Sequence, residues 1–133
     1  VTGNGADIVS GGGGSDTITT GSGIDQITGG TGNDTINAGD DADVVSGGAG
    51  NDTIRGGNNP DRLTGDAGND RMEGGAGNDR LTGGRGRDSL FGNAGFDRFQ
   101  ARDGQRDIVR GGTGRDSATV DARDSVRTVE VRR

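Results

Sequence analysis

The sequence predicts an all-β solenoid in which very short strands stack into two parallel sheets around a thin aliphatic core. Three observations carry that prediction. The first is a nine-residue unit, Gly-Gly-x-Gly-x-Asp-x-apolar-x, written as Gly29-Gly30-Thr31-Gly32-Asn33-Asp34-Thr35-Ile36-Asn37 and repeated at residues 47–55 and 74–82. The second is its phasing: an Asp recurs every nine residues from Asp7 to Asp97, and after one inserted residue the series resumes at Asp107 and Asp116. The third is an apolar residue two places after each of these Asp residues, from Val9 and Ile18 through Phe99, Val109 and Ala118.

Composition sets this chain apart from ordinary globular domains. Of 133 residues, 31 are Gly and only 25% are hydrophobic, and Trp, Tyr, His and Cys are absent. Low hydrophobicity with a net charge of −6 would normally leave a chain disordered. Glycine raises the ordering cost further, because it loses the most backbone freedom on folding. Stabilisation from outside the chain is therefore expected, and thirteen regularly placed carboxylates point to a cation as its source. Without Cys there are no disulfides or thiolate metal sites. No apolar run approaches the roughly 20 residues of a membrane-spanning helix. The chain opens at Val1 already in repeat register and without a signal peptide, which reads as a fragment or a mature segment. All 15 basic residues are Arg, and the first of them is Arg55. The C-terminal part is thus the basic one, a solvated face in the plain reading and an anion-binding patch in the sharper one.

Within the unit, the first six residues are expected to form a turn. Its glycines allow positive φ and close backbone approach, and Asn or Asp beside them tolerates the left-handed region. The last three residues, as in Thr35-Ile36-Asn37, alternate polar, apolar, polar. They predict a very short strand with only its middle residue inward. One unit is then half a coil, and eighteen residues complete a circuit. Coils stack at the ~4.8 Å spacing of paired strands. Strands this short cannot stand alone, so each coil needs its neighbours.

Turns on one edge of the solenoid come from alternate units. One column holds Asp16, Asp34, Asp52, Asp70, Asp88 and Asp107, and the other holds Asp7, Asp25, Asp43, Asp61, Asp79, Asp97 and Asp116. Stacked like charges oppose folding unless a counter-ion lies between them. The ligands on offer are carboxylate and carbonyl oxygens. Flexible all-oxygen sites suit Ca²⁺, whereas Mg²⁺ keeps its waters and Zn²⁺ prefers His or Cys. Several Ca²⁺ ions are therefore the expected cofactor, with these Asp residues as metal ligands.

The unit resembles the calcium-binding nonapeptide of the repeats-in-toxin (RTX, hemolysin-type) family over residues 2 to 119. The resemblance implies a right-handed parallel β-roll with Ca²⁺ between turns of the same edge. It implies that each Asp bridges ions and that backbone carbonyls of the Gly-rich positions complete the shell. Here those carbonyls would be Gly11, Gly13, Gly29, Thr31, Gly47, Ala49, Gly65, Ala67, Gly74 and Ala76. The family occurs in secreted bacterial toxins, proteases, lipases and surface proteins, whose repeats stay unfolded in the cytosol and fold outside the cell. The chain is accordingly expected to be a secreted or extracellular, monomeric module, structural or linked to secretion and compatible with a fused passenger domain. It would fold on binding Ca²⁺, with affinities of roughly 10⁻⁴–10⁻³ M, and would bind no nucleic acid.

Some units depart from the pattern. Asp41 and Asn59 stand where a third Gly belongs, and Pro60 follows the latter. Both residue types reach left-handed geometry, so these turns should survive, with the ions flanking Asp43 and Asp61 the weaker or missing ones. The turn ending at Asp107 carries the inserted residue and lacks the paired Gly, which predicts a weak ion there too. Residues 1–100 read as in-register repeats, and residues 101–133 as degenerate last repeats and a C-terminal cap. In that cap, residues 117–120 and 125–131 look like strands, and Phe91, Phe96 and Phe99 should thicken the core just before it. No nucleophile–base pair is present, and a core one residue deep leaves no room for a pocket, so an enzyme is not expected. An alternative function uses the outward ladder Ser10, Thr28, Ser46, Thr64 and Thr82, beside Arg62, Arg80 and Arg98, as a calcium-stabilised adhesive or ice-binding surface.

Overall fold

Each nine-residue unit folds into one strand and one tight turn in the computed structural model, which describes residues 2–132. The strands are β1 (Ile8–Gly13), β2 (Thr17–Ser22), β3 (Gln26–Thr31), β4 (Thr35–Asp40), β5 (Val44–Ala49), β6 (Thr53–Asn58), β7 (Arg62–Ala67) and β8 (Arg71–Ala76). They continue as β9 (Arg80–Arg85), β10 (Ser89–Ala94), β11 (Arg98–Ala101), β12 (Ile108–Thr113), β13 (Ser117–Val120), β14 (Ser125–Arg127) and β15 (Glu130–Arg132). Odd-numbered strands form one sheet, in the order β1 to β15, and even-numbered strands form the other. Strands within each sheet pair in parallel, so that Ile18 lies opposite Ile36, Ile36 opposite Ile54, and Ile54 opposite Met72. A parallel pair needs a crossover between its strands. Here the crossover is the intervening strand of the other sheet, so one circuit is one coil of a parallel β-roll. Among the described residues there is no helix long and apolar enough to cross a membrane.

The strands are longer than the sequence predicts. β4 runs six residues, from Thr35 through Ala38-Gly39-Asp40, where a three-residue strand is expected. The cause is the second Gly of the unit. Gly48 has a φ of 107° yet sits within the ladder, between Gly30 and Asp66. Glycine at this place bends the strand without ending it. The turn proper therefore shrinks to three residues, such as Gly50-Asn51-Asp52.

Longer strands give a deeper core than expected. Along β4 both Ile36 and Ala38 are buried, so two positions per strand face inward. The first position is the aliphatic ladder: Ile18, Ile36, Ile54, Met72, Leu90 and Val109 on one sheet, facing Ile27, Val45, Leu63, Leu81, Phe99 and Ala118 on the other. The second position is the first residue of the next unit, usually Gly, but Thr20, Ala38, Ala101 and Val120 fill it with side chains. Asp41 and Asn59 adopt φ of 80° and 75°, so both irregular turns keep the shape of their neighbours.

Three expectations are corrected. Only Phe99 enters the core, whereas Phe96 is 62% exposed at a turn, immediately before Asp97. Phe91 occupies the third place after Asp88, which the pleat directs outward, and the Arg71 guanidinium lies 4.4 Å from its ring centroid. Residues 125–131 do not form one strand. Thr128, at a φ of 55°, turns the chain and sends β14 and β15 to opposite sheets. β12 to β15 thereby continue both ladders, and the inserted residue is absorbed in the loop after a shortened β11.

Leu81 lies between Leu63 and Phe99 in the ladder. Leu81→Ala is expected to cost about 2–5 kcal/mol of unfolding free energy. Phe91→Ala, on the outer face, is expected to cost under about 1 kcal/mol. Urea denaturation of the two variants checks this, and equal losses would contradict the placement of the rings.

Candidate metal centre

The site repeats along the chain, so one turn describes most of it. Asp70 closes a turn and precedes β8, and its backbone carbonyl accepts the N–H of Ser89 from the next coil at 2.8 Å. Its side chain turns inward. Asp70 Oδ1 accepts the backbone N–H of Asp52 at 2.8 Å, and Asp88 Oδ1 accepts that of Asp70 at 2.9 Å. The same bond joins Asp7, Asp25, Asp43, Asp61, Asp79, Asp97 and Asp116 along one edge. It joins Asp16, Asp34, Asp52, Asp70, Asp88 and Asp107 along the other. The sequence-predicted residues therefore stand in the two expected columns, and from Asp25 and Asp34 onward one oxygen of each carboxylate fixes the register between coils.

The second oxygen has no such role. In all thirteen of these Asp residues, Oδ2 is buried and accepts no hydrogen bond. A buried acceptor left unpaired costs about 1–3 kcal/mol, and more when charged. Burial, the largest cause, raises the carboxyl pKa of Asp61, Asp70 and Asp107 to about 7 and of Asp97 to about 6. The backbone N–H bonded to Oδ1 pulls each value down, and adjacent carboxylates, such as Asp88 and Asp52 beside Asp70, add to the rise. Burial shifts Asp43, Asp52, Asp79 and Asp88 upward as well. The two files together are an unmet demand for positive charge.

The first Gly of the unit, inside its strand, shows what surrounds Oδ2. A Cβ placed on Gly29 would lie 2.5 Å from Asp34 Oδ2 and 2.5 Å from the carbonyl oxygen of Gly47 in the next coil. At Gly65 the corresponding oxygens are Asp70 Oδ2 at 2.4 Å and the Gly83 carbonyl at 2.6 Å. Gly11, Gly47 and Gly74 hold the same first position. Glycine is favoured there because acceptor oxygens crowd the space a side chain would take, and a unit with a larger residue must shift those oxygens. The turns ending at Asp25, Asp43 and Asp107 begin instead with Thr20, Ala38 and Ala101, and Thr20 Oγ1 donates to the Ala38 carbonyl at 2.6 Å. Gly13, Thr31, Ala49, Ala67 and Ala76 end their strands. The carbonyls of Thr31, Ala49 and Ala67 each accept one backbone N–H from a neighbouring coil, which leaves a second lone pair.

Among the described residues, no three carboxylates converge on one point. A cation here would be held by one or two carboxylates together with carbonyl oxygens, a hard, oxygen-only set that fits Ca²⁺. One member of the file is hidden in the sequence. Asp107 N–H donates to Asp124 Oδ1 at 3.0 Å, so Asp124 takes the next place in its column. The step is seventeen residues instead of eighteen and no glycines precede it, but the triplet Asp124-Ser125-Val126 keeps the Asp-x-apolar signal. Its Oδ2 differs from the others, because it accepts the Asp121 N–H at 2.8 Å.

The sequence matches a family model described as the RTX calcium-binding nonapeptide repeat (4 copies), over residues 1–27, 19–54, 46–81, 55–90, 64–99 and 82–118. No curated protein matches the chain.

The raised carboxyl values set a pH dependence. An unfolded Asp titrates near 3.9. A raised folded value means that stability is fully present below that pH and is lost as pH climbs through the folded values of about 6 to about 7. In excess EDTA the chain is expected to show more β-structure by circular dichroism at pH 4 than at pH 7.5. Saturating Ca²⁺ should remove the difference, and a chelated chain equally stable at both pH values would contradict the buried carboxylates.

Proposed function

Because the chain belongs to the RTX calcium-binding nonapeptide repeat family, we propose that it is a Ca²⁺-binding β-roll module whose folding is coupled to ion binding. The observation that carries this reading is the set of thirteen buried Asp Oδ2 atoms without partners. Bound Ca²⁺ would supply the positive charge that neutralises the two files. The chain's own residues do the rest. Beyond the first Asp of each column, Oδ1 holds the preceding coil in register, each Oδ2 turns towards the cation, and the first Gly, where present, keeps the space between coils clear. Carbonyls of the Gly-rich positions, among them Gly29, Thr31, Gly65 and Ala67, complete the ligand set.

Because every coil bonds only to its neighbours, stability is shared along the stack and ion binding becomes cooperative. Side chains at Thr20, Ala38 and Ala101 make the turns ending at Asp25, Asp43 and Asp107 the weaker places for an ion. The irregular Asn59-Pro60 turn keeps Asp61 in that group. Residues 101–132 serve as the end of the stack, where Asp124 meets its acceptor demand from backbone N–H groups alone. A module that folds only at the weak affinities usual for extracellular calcium sites suits an exported protein, unfolded before export and folded after it.

Far-UV circular dichroism during a Ca²⁺ titration, with Mg²⁺ as control, tests the coupling. A steep coil-to-β transition with Ca²⁺ alone is expected near millimolar, whereas a β spectrum persisting in excess EDTA at pH 7.5 would overturn it. Asp70→Asn gives a sharper test, because Asn keeps the Oδ1 acceptor and removes the charge. The variant should raise the Ca²⁺ midpoint about tenfold, ~1.4 kcal/mol. In EDTA it should keep at least as much β signal as the parent. A fall in both would mark Asp70 as a packing residue only.

A further inference from the structure

Arg62, Arg80 and Arg98 begin β7, β9 and β11, and the sheet register sets them on consecutive rungs. Rungs are ~4.8 Å apart. Three exposed guanidinium groups therefore leave one face in a file. Charges of one sign directly opposite each other in a sheet are destabilising. The other sheet shows how this chain neutralises arginines internally: Glu73 pairs with both Arg55 and Arg71. Among the described side chains, no carboxylate pairs with Arg62, Arg80 or Arg98, and Arg80 donates only to the neutral Gln100 side chain, at 3.3 Å.

An open groove of about 1460 Å³ follows this file; Phe96, Arg115 and Thr119 also line it, and the buried carboxylates Asp43, Asp61, Asp79, Asp97 and Asp116 lie along its floor. Thr64 and Thr82 lie opposite each other on the same face, one pleat along from the arginines. The whole chain carries a net charge of −6. Attraction of an anion must therefore come from this face and not from overall charge. Guanidinium forks pair bidentately with carboxylate, sulfate and phosphate oxygens. A file of them calls for an extended ligand with anionic groups repeating along its length. Reading single-stranded nucleic acid requires aromatic platforms for successive bases. This groove has one exposed ring, Phe96, while hydroxyl and amide side chains run beside the arginines as partners for sugar hydroxyls.

We propose that this groove and the sheet face beside it bind an acidic polysaccharide, its sulfate or carboxylate groups seated on Arg62, Arg80 and Arg98 and its hydroxyls on Gln100 in the groove and on Thr64 and Thr82 beside it. The three arginines are eighteen residues apart and meet only when the coils stack. If folding depends on Ca²⁺ as proposed above, ligand and ion then strengthen each other's binding by the same factor. The arginine file stands apart from that reading, but anion binding in the groove rests on it, because Ca²⁺ would neutralise the carboxylates along its floor.

The test uses the full chain in saturating Ca²⁺, with circular dichroism on every sample. Titration calorimetry with dextran sulfate, carboxymethyl dextran, neutral dextran and a single-stranded oligonucleotide identifies the ligand class, the two charged dextrans separating sulfate from carboxylate. At least one charged dextran is expected to bind and neutral dextran is not. The combined Arg62→Gln, Arg80→Gln and Arg98→Gln variant should bind at least about tenfold more weakly, ~1.4 kcal/mol. Its slope of log affinity against log salt should fall by roughly 2–3. Arg55→Gln should leave both unchanged. If the triple variant loses its β spectrum, Arg80→Gln alone decides, with a clear loss of affinity supporting the groove and none overturning it. Absence of binding to either charged dextran, an equal loss in Arg55→Gln, or tighter binding of the oligonucleotide would also overturn it. A folded protein that fails to bind separates this outcome from a failure of calcium-coupled folding, which circular dichroism reports on its own.

Discussion

Everything in this molecule depends on how the two oxygens of one carboxylate are used. Oδ1 of every repeat Asp after the first in each column takes a backbone N–H from the preceding coil, and Oδ2 takes nothing from the protein. The first bond is what a turn needs to hold register. The second oxygen is a buried acceptor left open, as the proposed cation site requires. Burying the carboxylate serves both ends at once, because low exposure strengthens the register bond and makes the unpaired charge costly. Aliphatic packing alone is thin in a chain with 31 glycines. The first glycine of most units follows from the carboxylates, since oxygens crowd the position where a Cβ would otherwise sit. Sequence composition, core depth and ligand geometry are thus consequences of one arrangement.

The outer surface obeys a different logic. Nothing inside the coil dictates the residues that point away from it, so that surface is free to vary from rung to rung. One sheet offsets its arginines with Glu73 and the ring of Phe91, and the other leaves three in a row. A scaffold with a constant interior can present a programmed exterior, because changing an outward residue disturbs neither the ladder nor the Asp file.

Much of this architecture was legible in the sequence. The nine-residue phasing fixed which residues share a column, because a period held over so many units admits few foldings. Several features escape it for physical reasons, among them the turn at Thr128 that splits residues 125–131. Strand length is hidden because Gly48 and its equivalents look like turn residues yet sit inside the ladder. Phe91 and Phe96 were drawn to the core by their hydrophobicity, although their places after Asp88 and before Asp97 point them outward. Asp124 was hidden by a shortened step and by the lack of glycines before it. The groove beside the arginines arises from the facing of turn and strand across several coils, which spacing along the chain does not reveal.

The loop after β11 takes up an extra residue, yet Ile108 returns to the rung expected of it, opposite Ser89. The ladder therefore keeps its phase by counting coils, not residues, and any one turn can act as a slack joint. Length change in such a chain is cheap when it comes in whole circuits or is confined to one corner. It is ruinous when it falls inside a strand, where every later side chain would exchange inside for outside. The same interchangeability carries a hazard. Neighbouring coils are near copies, so a growing stack can dock a unit one circuit out of place with almost all its bonds intact. The irregular members, such as Thr20, Met72, Phe99 and the loop at residues 102–106, are the marks that tell one circuit from the next.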